Sequence, residues 1–532
     1  ARRAPCPFLV SVMTYQDSSM PYSSFLSARF RTAMRGTTAL LAAVTLSGCL
    51  MVGPRYKHPA PIISARFKEL QPAPGWTVSQ PDMAAIPKGK WWLVYNDPTL
   101  NALEDQVALS NQNLKEYEAQ YRKARALVNA AKASLYPTLS GDLSFARNSQ
   151  GSSATSTSGT TYSTGSTRNT YAAELSADWD LDLWGKIRRQ IQEQVTAAQA
   201  SAADIANARL SYQSQLAQDY FEMRYEESLK LLLDRSAALY AHNLQIIRNQ
   251  HEGGTLNAGD ELQAETELEQ TRASATATDV ARSEYEHAIA VLVGRAPADL
   301  TIARAAMPLA IPAVPVTLPA TLLQRRPDIA AAERAMEEYN AEIGAAIAAF
   351  YPDVTLSAAY GYSGNPVQSL IQVANRIWSL GAAGSETLFE GGARTAAVQE
   401  ANADYDNAVA TYRQTVLTAL QDTEDQLSSL RILEQQASQQ DAAVRAAVKA
   451  VDVSMNEYRF GTAIYTTVIT TQQTALGDQE TALQIQESRL LASVKLIADL
   501  GGGWDVSQLP GKNSLQSDNP LVPSFLERHG KD

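Results

Sequence analysis

The sequence predicts a mainly α-helical, internally duplicated chain whose few strands belong to a transmembrane β-barrel. Three observations lead to this fold class. Proline is absent from residues 138–296 and 367–509 of the 532-residue chain, and a proline-rich segment, residues 297–327, separates the two blocks. Related motifs recur in both halves. Each half also contains apolar–polar alternation followed by a long stretch that favours helix.

The two halves repeat the same motifs in the same order. AAKASLYP at residues 130–137 matches AAIAAFYP at 345–352, and LWGKIR at 183–188 matches FEGGAR at 389–394. The first half also contains the low-complexity insert SQGSSATSTSGTTYSTGSTRN, whose composition predicts a loop. Each half therefore predicts helix, strand, loop, strand, long helix, tight turn and helix.

Each half contains a stretch suited to an unusually long helix. Residues 186–252 and 393–460 contain neither glycine nor proline. At about 1.5 Å per residue, each helix would be roughly 100 Å long, which favours coiled-coil-like packing over burial in a globular domain. An irregular heptad seam supports this packing and consists of Tyr405, Val409, Tyr412, Val416, Leu420, Leu427 and Leu430.

The predicted strands have one apolar and one polar face. Apolar outward positions of the first three strands are Leu139, Leu143, Phe145, Tyr171, Ala173, Leu175, Ala177, Trp179, Leu181, Leu183, Val354, Leu356, Ala358, Tyr360 and Tyr362. On the polar face, Asp178, Asp180 and Asp182 are candidates for a water-filled lumen. Repeated on three chains, these aspartates form either a solvated wall or a cation-binding rim. The fourth strand, near residues 378–389, alternates poorly and puts Glu386 at an outward position.

The strand pattern also predicts the oligomeric state. Strands of about 9 to 11 residues with this alternation are typical of outer-membrane barrels. Four strands cannot close a barrel, and the backbone groups of open sheet edges cannot face lipid. Three chains would supply twelve strands, an even number within the known range. The sequence therefore predicts a homotrimer with a twelve-stranded barrel.

The N-terminal region indicates export and a lipid anchor. Several arginines precede the short apolar run 39–46, as in a signal peptide. Leu46-Ser47-Gly48-Cys49 resembles the bacterial lipobox, so Cys49 is the predicted lipid-attachment site. The alternative is an ordinary signal peptide that contains a cysteine. Leu50 follows Cys49, and this resemblance favours sorting to the outer membrane. No other apolar run reaches the about 18 residues of a membrane-spanning helix.

Charge and motifs exclude several other classes of protein. The formal net charge is −11 and the chain has no basic stripe, so nucleic acid is not an expected partner. The five histidines are scattered, and the chain has no HExxH, GxSxG or phosphate-loop motif. We therefore expect no catalytic residues, no metal site and no cofactor apart from the covalent lipid.

An ordered set of motifs resembles the TolC-type outer-membrane efflux factors, specifically the NodT-like lipoprotein branch that serves resistance-nodulation-division pumps. The matching stretches are GPRYKHPAP, WWLVYNDPTLNALEDQVALSNQNL, LDLWGKIR, LLQRRPDIAAAERAM, GAAIAAFYPDVTLS, LFEGGARTAAV, EYRFGTAIYTTV and LGGGW. The resemblance implies a homotrimer in the outer membrane of a Gram-negative bacterium, with a long α-helical periplasmic tunnel and a small mixed equatorial region. It also implies a passive exit duct whose partners are a periplasmic adaptor and an inner-membrane transporter.

Two other functions remain open at this stage. The chain could instead serve a type I protein secretion system, or be a periplasmic coiled-coil adaptor lipoprotein. The cargo is equally open, because drugs, metal ions and lipophilic signals all suit a polar conduit.

The predicted organisation has six parts. They are an N-terminal extension with the signal peptide (1–48), an acylated segment and linker (49–96), the first repeat (97–296), a proline-rich linker (297–327), the second repeat (328–500) and a C-terminal tail (501–532). By the resemblance, the two linkers and the chain ends build the equatorial region.

The resemblance also places a gate at the periplasmic tip. The turns at Gly253-Gly254 and Gly461-Thr462 would reverse the long helices there, beside the adaptor. Asp260 and Tyr458 are candidates for a hydrogen bond that holds the tip closed, and the alternative is that both are solvated. Aspartates often occupy the aperture positions that are Thr467 and Thr470 here, so we expect weak selection for cations at the tip.

Cys49→Ala is expected to abolish palmitate labelling of the chain but to leave many trimers inserted. The barrel itself anchors the trimer, whereas a single acyl chain binds a membrane only marginally. Labelled palmitate on the purified chain measures the first effect, and trimer recovery from outer membranes measures the second. Undiminished label in the variant would contradict the lipobox assignment.

Overall fold

The computed structural model describes most of the chain after the predicted signal peptide. The described residues are 51–60, 63–64, 66–69, 89–150, 153–154, 162–163, 166–253, 257–312 and 319–516. Two predicted site residues, Cys49 and Gly254, lie outside these ranges.

The first repeat has the predicted order of elements. A 3₁₀ turn at Trp91–Tyr95 precedes α1 (Pro98–Ser110), α2 (Gln112–Ala133), β1 (Thr138–Gln150), β2 (Ser153–Ala154), β3 (Tyr162–Ser163), β4 (Ser166–Leu181), α3 (Lys186–Glu252) and α4 (Ala258–Leu292). Among the described strands, the short β2 and β3 pair with each other alone, within the predicted loop insert.

The second repeat follows the same order. Its elements are α5 (Pro319–Arg325), α6 (Pro327–Ala348), β5 (Asp353–Gly364), β6 (Arg376–Ser385), α7 (Ala393–Arg459) and α8 (Tyr465–Asp499), and α9 (Lys512–Gln516) follows them. Both long helices contain 67 residues. The first has the predicted bounds, and the second ends one residue earlier than predicted. None of the described helices combines the length and apolar character needed to cross a bilayer.

A glycine in a left-handed conformation directly precedes each long helix. Gly185 has φ +85° and precedes α3, and Gly392 has φ +94° and precedes α7. Residues with side chains rarely adopt this left-handed conformation. The equivalent turns therefore redirect the chain in both repeats, and from there no glycine or proline interrupts the helix.

The sheet is antiparallel and has the strand order β1-β4-β5-β6. Its register is continuous. Leu143 pairs with Ala173, Leu175 with Tyr360, and Ala358 with Leu380, so the predicted apolar residues share one face. Within the described chain, β1 and β6 each pair on one side only. The sheet therefore has two open edges.

The prediction for the fourth strand needs correction. Strand β6 spans Arg376–Ser385 and so ends before the predicted limit. Its alternation is imperfect, as predicted: Trp378 lies on the apolar face opposite Tyr360, whereas Ile377 lies on the polar face. Glu386 lies beyond its end and forms an ion pair with Arg394 on α7. The carboxylate therefore does not occupy an outward strand position. The sequence extends the predicted strand too far because the residue pattern does not show that β6 ends at Ser385.

The main core lies where the two repeats and the segment after α4 meet. Trp91, Leu216, Phe221, Ile289 and Val494 are fully buried together there. Each comes from a different helix or turn, apart from Leu216 and Phe221 on α3. The core therefore holds together the two helical hairpins, α3–α4 and α7–α8, in the middle of the molecule.

A buried ion cluster lies beside this core. Arg224 and Arg282 both bind the Glu227 carboxylate, at 2.5 and 2.9 Å. The same groups bond the chain after α4: Arg282 Nη2 donates to the Ile302 carbonyl at 2.7 Å, and Glu227 accepts the Ala305 N–H at 3.0 Å. Because every charge has partners, the cluster can be buried, and it clamps the linker to the helices.

Residues 52–60 and 66–69 form an N-terminal strap along the helices. The Val52 N–H donates to the Trp184 carbonyl at 3.1 Å. Further along, Phe67 is buried against α7, and the Glu424 carboxylate accepts the N–H groups of Lys68 and Glu69 at 2.6 and 2.9 Å. The strap therefore runs from the end of the sheet to the middle of α7.

A close contact between two glycines admits the start of this strap. Arg189 on α3 is buried and donates to the carbonyls of Val52 and Pro54, at 3.2 and 3.0 Å. A Cβ atom on Gly53 would lie 2.6 Å from the Cα atom of Gly344, and one on Gly344 would lie 2.5 Å from Arg189 Nε. Only glycine fits at both positions, so these residues lock the strap to the helices.

Gly344→Ala is expected to release the strap, because its methyl group would displace the Arg189 side chain from the strap carbonyls. Gly477→Ala on α8 is the matched control: nothing lies within 4 Å of its Cβ position. That change should stabilise the helix by about 0.5–1 kcal/mol.

Limited proteolysis and hydrogen exchange of residues 52–60 measure the effect. Faster cleavage in Gly344→Ala alone is the expected result. Equal protection of the strap in both variants would contradict the lock.

Candidate functional site

Aromatic side chains form a belt at each end of the sheet. At the loop end, the rings of Phe145 and Tyr171 lie 5.0 Å apart. At the helix end, Trp184 stacks on Tyr351 at 4.9 Å, and Trp179 Nε1 donates to the Leu135 carbonyl at 3.0 Å. Aromatic girdles of this kind mark both membrane interfaces of outer-membrane barrels.

Large apolar side chains fill the band between the two belts. Leu143 is 88% exposed in the single chain, Leu175 56% and Leu380 76%. A contiguous surface of such exposed large apolar side chains is unfavourable in water and indicates contact with lipid or with another chain. The band and its girdles therefore mark the membrane-facing side of the sheet.

The opposite face of the sheet is polar, as predicted. Ser140 and Ser176 share a hydrogen bond of 2.7 Å, and Thr355 donates to Asp180 at 2.8 Å. Asp178 and Asp180 are both exposed on this face. Their position fits the predicted lumen wall.

Asp182 departs from the prediction. Strand β4 ends at Leu181, and the Asp182 side chain is only 7% exposed. Its carboxylate accepts the N–H groups of Ile187 and Arg188, at 3.1 and 3.0 Å, and the Arg188 Nε–H at 2.9 Å. A carboxylate stabilises the N-terminus of a helix because free N–H groups point at it. Asp182 therefore caps α3 and does not line the lumen.

The helical tip lies at the far end of α3 and α7. Gly461, with φ +72°, and Thr462 form the turn after α7, and the Thr462 hydroxyl donates to the Glu457 carbonyl at 3.0 Å. Thr467 and Thr470 are exposed on the first turns of α8. The Thr470 hydroxyl donates to the carbonyl of Thr466 at 2.9 Å. Neither threonine carries a charge.

The predicted bond between Asp260 and Tyr458 is replaced by another. The Tyr458 hydroxyl donates to Gln250 Oε1 at 2.9 Å, across the gap between α7 and α3. Burial raises the pKa of Tyr458, and the negative charge of Asp260 adds to this effect. Asp260 lies in the first turn of α4, where its N–H donates to the Asn257 side chain at 3.1 Å. Asp260 thus affects the pKa of Tyr458 through its charge, whereas the phenol donates its hydrogen bond to Gln250.

Two further bonds join the hairpins near the tip. Thr466 donates to Gln263 at 3.3 Å, and Gln473 donates to Glu267 at 2.6 Å. Together with the Tyr458–Gln250 bond, they link α7 and α8 to α3 and α4. Sequence reasoning missed these glutamines, because no local pattern distinguishes a bridging glutamine from a solvated one.

An acidic cluster lies farther up the helices. Burial raises the pKa of Glu487 on α8 to about 7, and the negative charges of Glu222 and Glu226 on α3 raise it further. At neutral pH this carboxyl group is therefore only partly ionised. No local pattern in the sequence indicates that Glu222 and Glu226 approach α8.

Comparison with known proteins identifies the family. The sequence model of the outer membrane efflux protein family matches residues 103–295 and 318–502. The chain belongs to the outer membrane efflux protein family. Its two matching segments correspond to the two repeats of helices and strands described above.

Two curated relatives and one solved structure extend this result. The pyoverdine export outer membrane protein OpmQ of Pseudomonas aeruginosa is 30% identical over 474 residues, covering 86% of this chain and 96% of OpmQ. The solvent efflux pump outer membrane protein SrpC of Pseudomonas putida is 29% identical over 472 residues, covering 88% and 98%. The outer-membrane channel OprN is 27% identical, with a TM-score of 0.77 over 85% of this chain and 99% of OprN.

Membership of the efflux protein family confirms several predictions. The fold class, the function as an outer-membrane efflux channel and the location in the outer membrane of a Gram-negative bacterium all agree with it. The lipid on Cys49 stays a prediction, because that residue lies outside the described ranges.

Tyr458→Phe is expected to raise the single-channel conductance in planar bilayers, because it removes the bond to Gln250 that joins the hairpins at the tip. The bond contributes about 0.5–1.5 kcal/mol, so the closed state should lose up to roughly tenfold in relative population. Asp260→Ala is the matched control and should change the conductance less, since its carboxylate accepts no hydrogen bond from the phenol.

The variant pair Tyr458→Phe and Gln250→Leu completes a double-mutant cycle. If the bond closes the tip, the second substitution adds little to the first. A larger effect of Asp260→Ala than of Tyr458→Phe would restore the original gate assignment.

Proposed function

We propose that the chain is the outer-membrane exit duct of a tripartite efflux pump. It works as a homotrimer and passively conducts cargo handed over by a periplasmic adaptor and an inner-membrane resistance-nodulation-division transporter. The observation that carries this proposal is a four-stranded sheet with a lipid-facing apolar side and two open edges.

The open edges support the trimer. Unpaired backbone groups cost several kcal/mol each in hydrocarbon, so each edge needs a partner strand. Strand β1 runs away from the helices and β6 runs toward them. The β1 edge of one copy can therefore pair antiparallel with the β6 edge of the next. Three copies close a barrel of twelve strands.

The long helices support a tunnel built from the same three copies. Many residues of α3 are buried within the chain, whereas few residues of α7 are. Its apolar residues Leu417, Ile432, Val448 and Val453 remain 41–50% exposed. A neighbouring copy would cover these side chains and so complete a wall of helices about 100 Å long.

The relatives' names support small-molecule cargo. OpmQ is named for the export of pyoverdine and SrpC for the efflux of solvents. Two ducts that resemble this chain to the same extent thus serve different molecules, which favours selection by the transporter rather than by the duct. Secretion of whole proteins gains no support from these relatives.

The strap supports a lipid on Cys49. Only three residue steps separate Cys49 from Val52 in the sequence. The Val52 N–H donates to the Trp184 carbonyl, beside the aromatic belt at the helix end of the sheet. A lipid on Cys49 would therefore tether the start of the strap to the membrane.

Leu380→Arg is expected to prevent insertion of the trimer, because it puts a charge in the middle of the lipid-facing band of β6. A lipid-facing arginine near the bilayer midplane costs about 2–4 kcal/mol in each copy. The neighbouring change Ser379→Arg is the matched control, since it puts the same charge on the polar face.

Trimer recovery from outer membranes on unheated gels, together with restored drug resistance in a strain that lacks its own duct, measures the outcome. We expect Ser379→Arg to assemble and Leu380→Arg to fail. Monomeric wild-type protein, or equal assembly of both variants, would overturn the proposal.

A further inference from the structure

Two arginines lie on the lipid-facing side of the sheet at its loop end. Arg147 lies two residues beyond Phe145 on β1, and Arg376 lies two residues before Trp378 on β6. The register is continuous, with Arg147 opposite Asn169 and Arg376 opposite Tyr362. Since alternate residues share a face, both arginines project from the same side as the aromatic belt.

No acidic residue of the four main strands shares this face. The carboxylates of these strands all lie on the polar side and belong to Asp142, Glu174, Asp178, Asp180 and Asp353. Neither guanidinium forms an ion pair within the described ranges. The lipid-facing side of the strands therefore carries two positive charges and no negative charge.

The position of these charges points to an interface. An arginine on the lipid face is costly at the midplane, and its cost falls to about 0–1 kcal/mol near the head groups. Each arginine lies on the loop side of an aromatic neighbour on its own strand, Phe145 on β1 and Trp378 on β6, toward the end opposite the helices. Because the helices extend into the periplasm, this end meets the outer leaflet, which consists of phosphorylated glycolipid.

We propose that Arg147 and Arg376 bind the phosphate groups of an outer-leaflet glycolipid, the acylated and phosphorylated disaccharide lipid A. The planar guanidinium group pairs with phosphate through two parallel hydrogen bonds. The aromatic rings of Phe145 and Trp378 lie directly below, where they contact the first carbons of the acyl chains.

The two arginines occupy the two edge strands, so the site rests on the proposed trimer. When β1 of one copy pairs with β6 of the next, Arg147 and Arg376 from different copies flank the same seam. Each trimer then has three such sites. A bound glycolipid would neutralise like charges across the seam and hold adjacent copies together.

Native mass spectrometry of trimers released from outer membranes in mild detergent tests the proposal. Wild-type trimers should retain up to three phosphorylated glycolipids, and the double variant Arg147→Gln, Arg376→Gln should retain at least about tenfold less. Arg168→Gln is the matched control, because Arg168 lies at the same end of the sheet, opposite Asn148, on the polar face. It should retain the lipid.

The same spectrum separates this proposal from the proposed function. Absence of a trimer mass in the wild type would overturn the function, whereas trimers without glycolipid would overturn only the lipid site. Should the double variant fail to assemble, Arg147→Lys and Arg376→Lys keep the charge and should retain lipid more weakly than the wild type.

Titration of delipidated trimers identifies the ligand. Lipid A with both phosphates should bind, and the dephosphorylated lipid should bind at least about tenfold more weakly. Equal binding of the two lipids would assign the affinity to the acyl chains and overturn the proposal. Displacement by millimolar inorganic phosphate alone would indicate a simple anion site and also overturn it.

Discussion

The unpaired backbone at the two edges of the sheet is the constraint on which the rest of the structure depends. A sheet of four strands cannot lie in hydrocarbon unless every N–H and C=O group has a partner. In the proposed trimer each edge pairs with a strand of the neighbouring copy, and the apolar face of the closed sheet meets lipid. The same assembly would cover apolar residues of α7 such as Ile432, which one chain leaves half-exposed.

At the junction between sheet and helices, the chain changes within a few residues from the two-residue repeat of a strand to the 3.6-residue repeat of a helix. Gly185 supplies the left-handed turn, and Asp182 binds the free N–H groups at the start of α3. One turn further along, Arg189 holds the strap through its carbonyl groups. The same short stretch thus ends the strand, starts the helix and fixes the N-terminal segment near the membrane interface.

The distribution of strong and weak contacts along the helices suits a duct that opens at one end. The middle of the molecule has the aromatic core and the Arg224–Glu227–Arg282 cluster, where loss of one buried partner costs about 3–5 kcal/mol. The tip has single hydrogen bonds such as Tyr458–Gln250, each worth about 0.5–1.5 kcal/mol. The contacts that join the hairpins are therefore weaker at the tip than in the middle.

The sequence by itself determined the elements and the family, because both depend on local or ordered patterns. Residues 186–252 form one helix since no glycine or proline interrupts them, and Leu139, Leu175 and Tyr360 share a face since strands alternate. Only the tertiary structure decided the partners of polar side chains. Asp182 caps a helix, Glu386 binds Arg394, and Tyr458 bonds Gln250 instead of Asp260. Those pairings depend on which residues meet in space, and for Tyr458 the partner is 208 positions away in the chain, beyond the reach of any local periodicity.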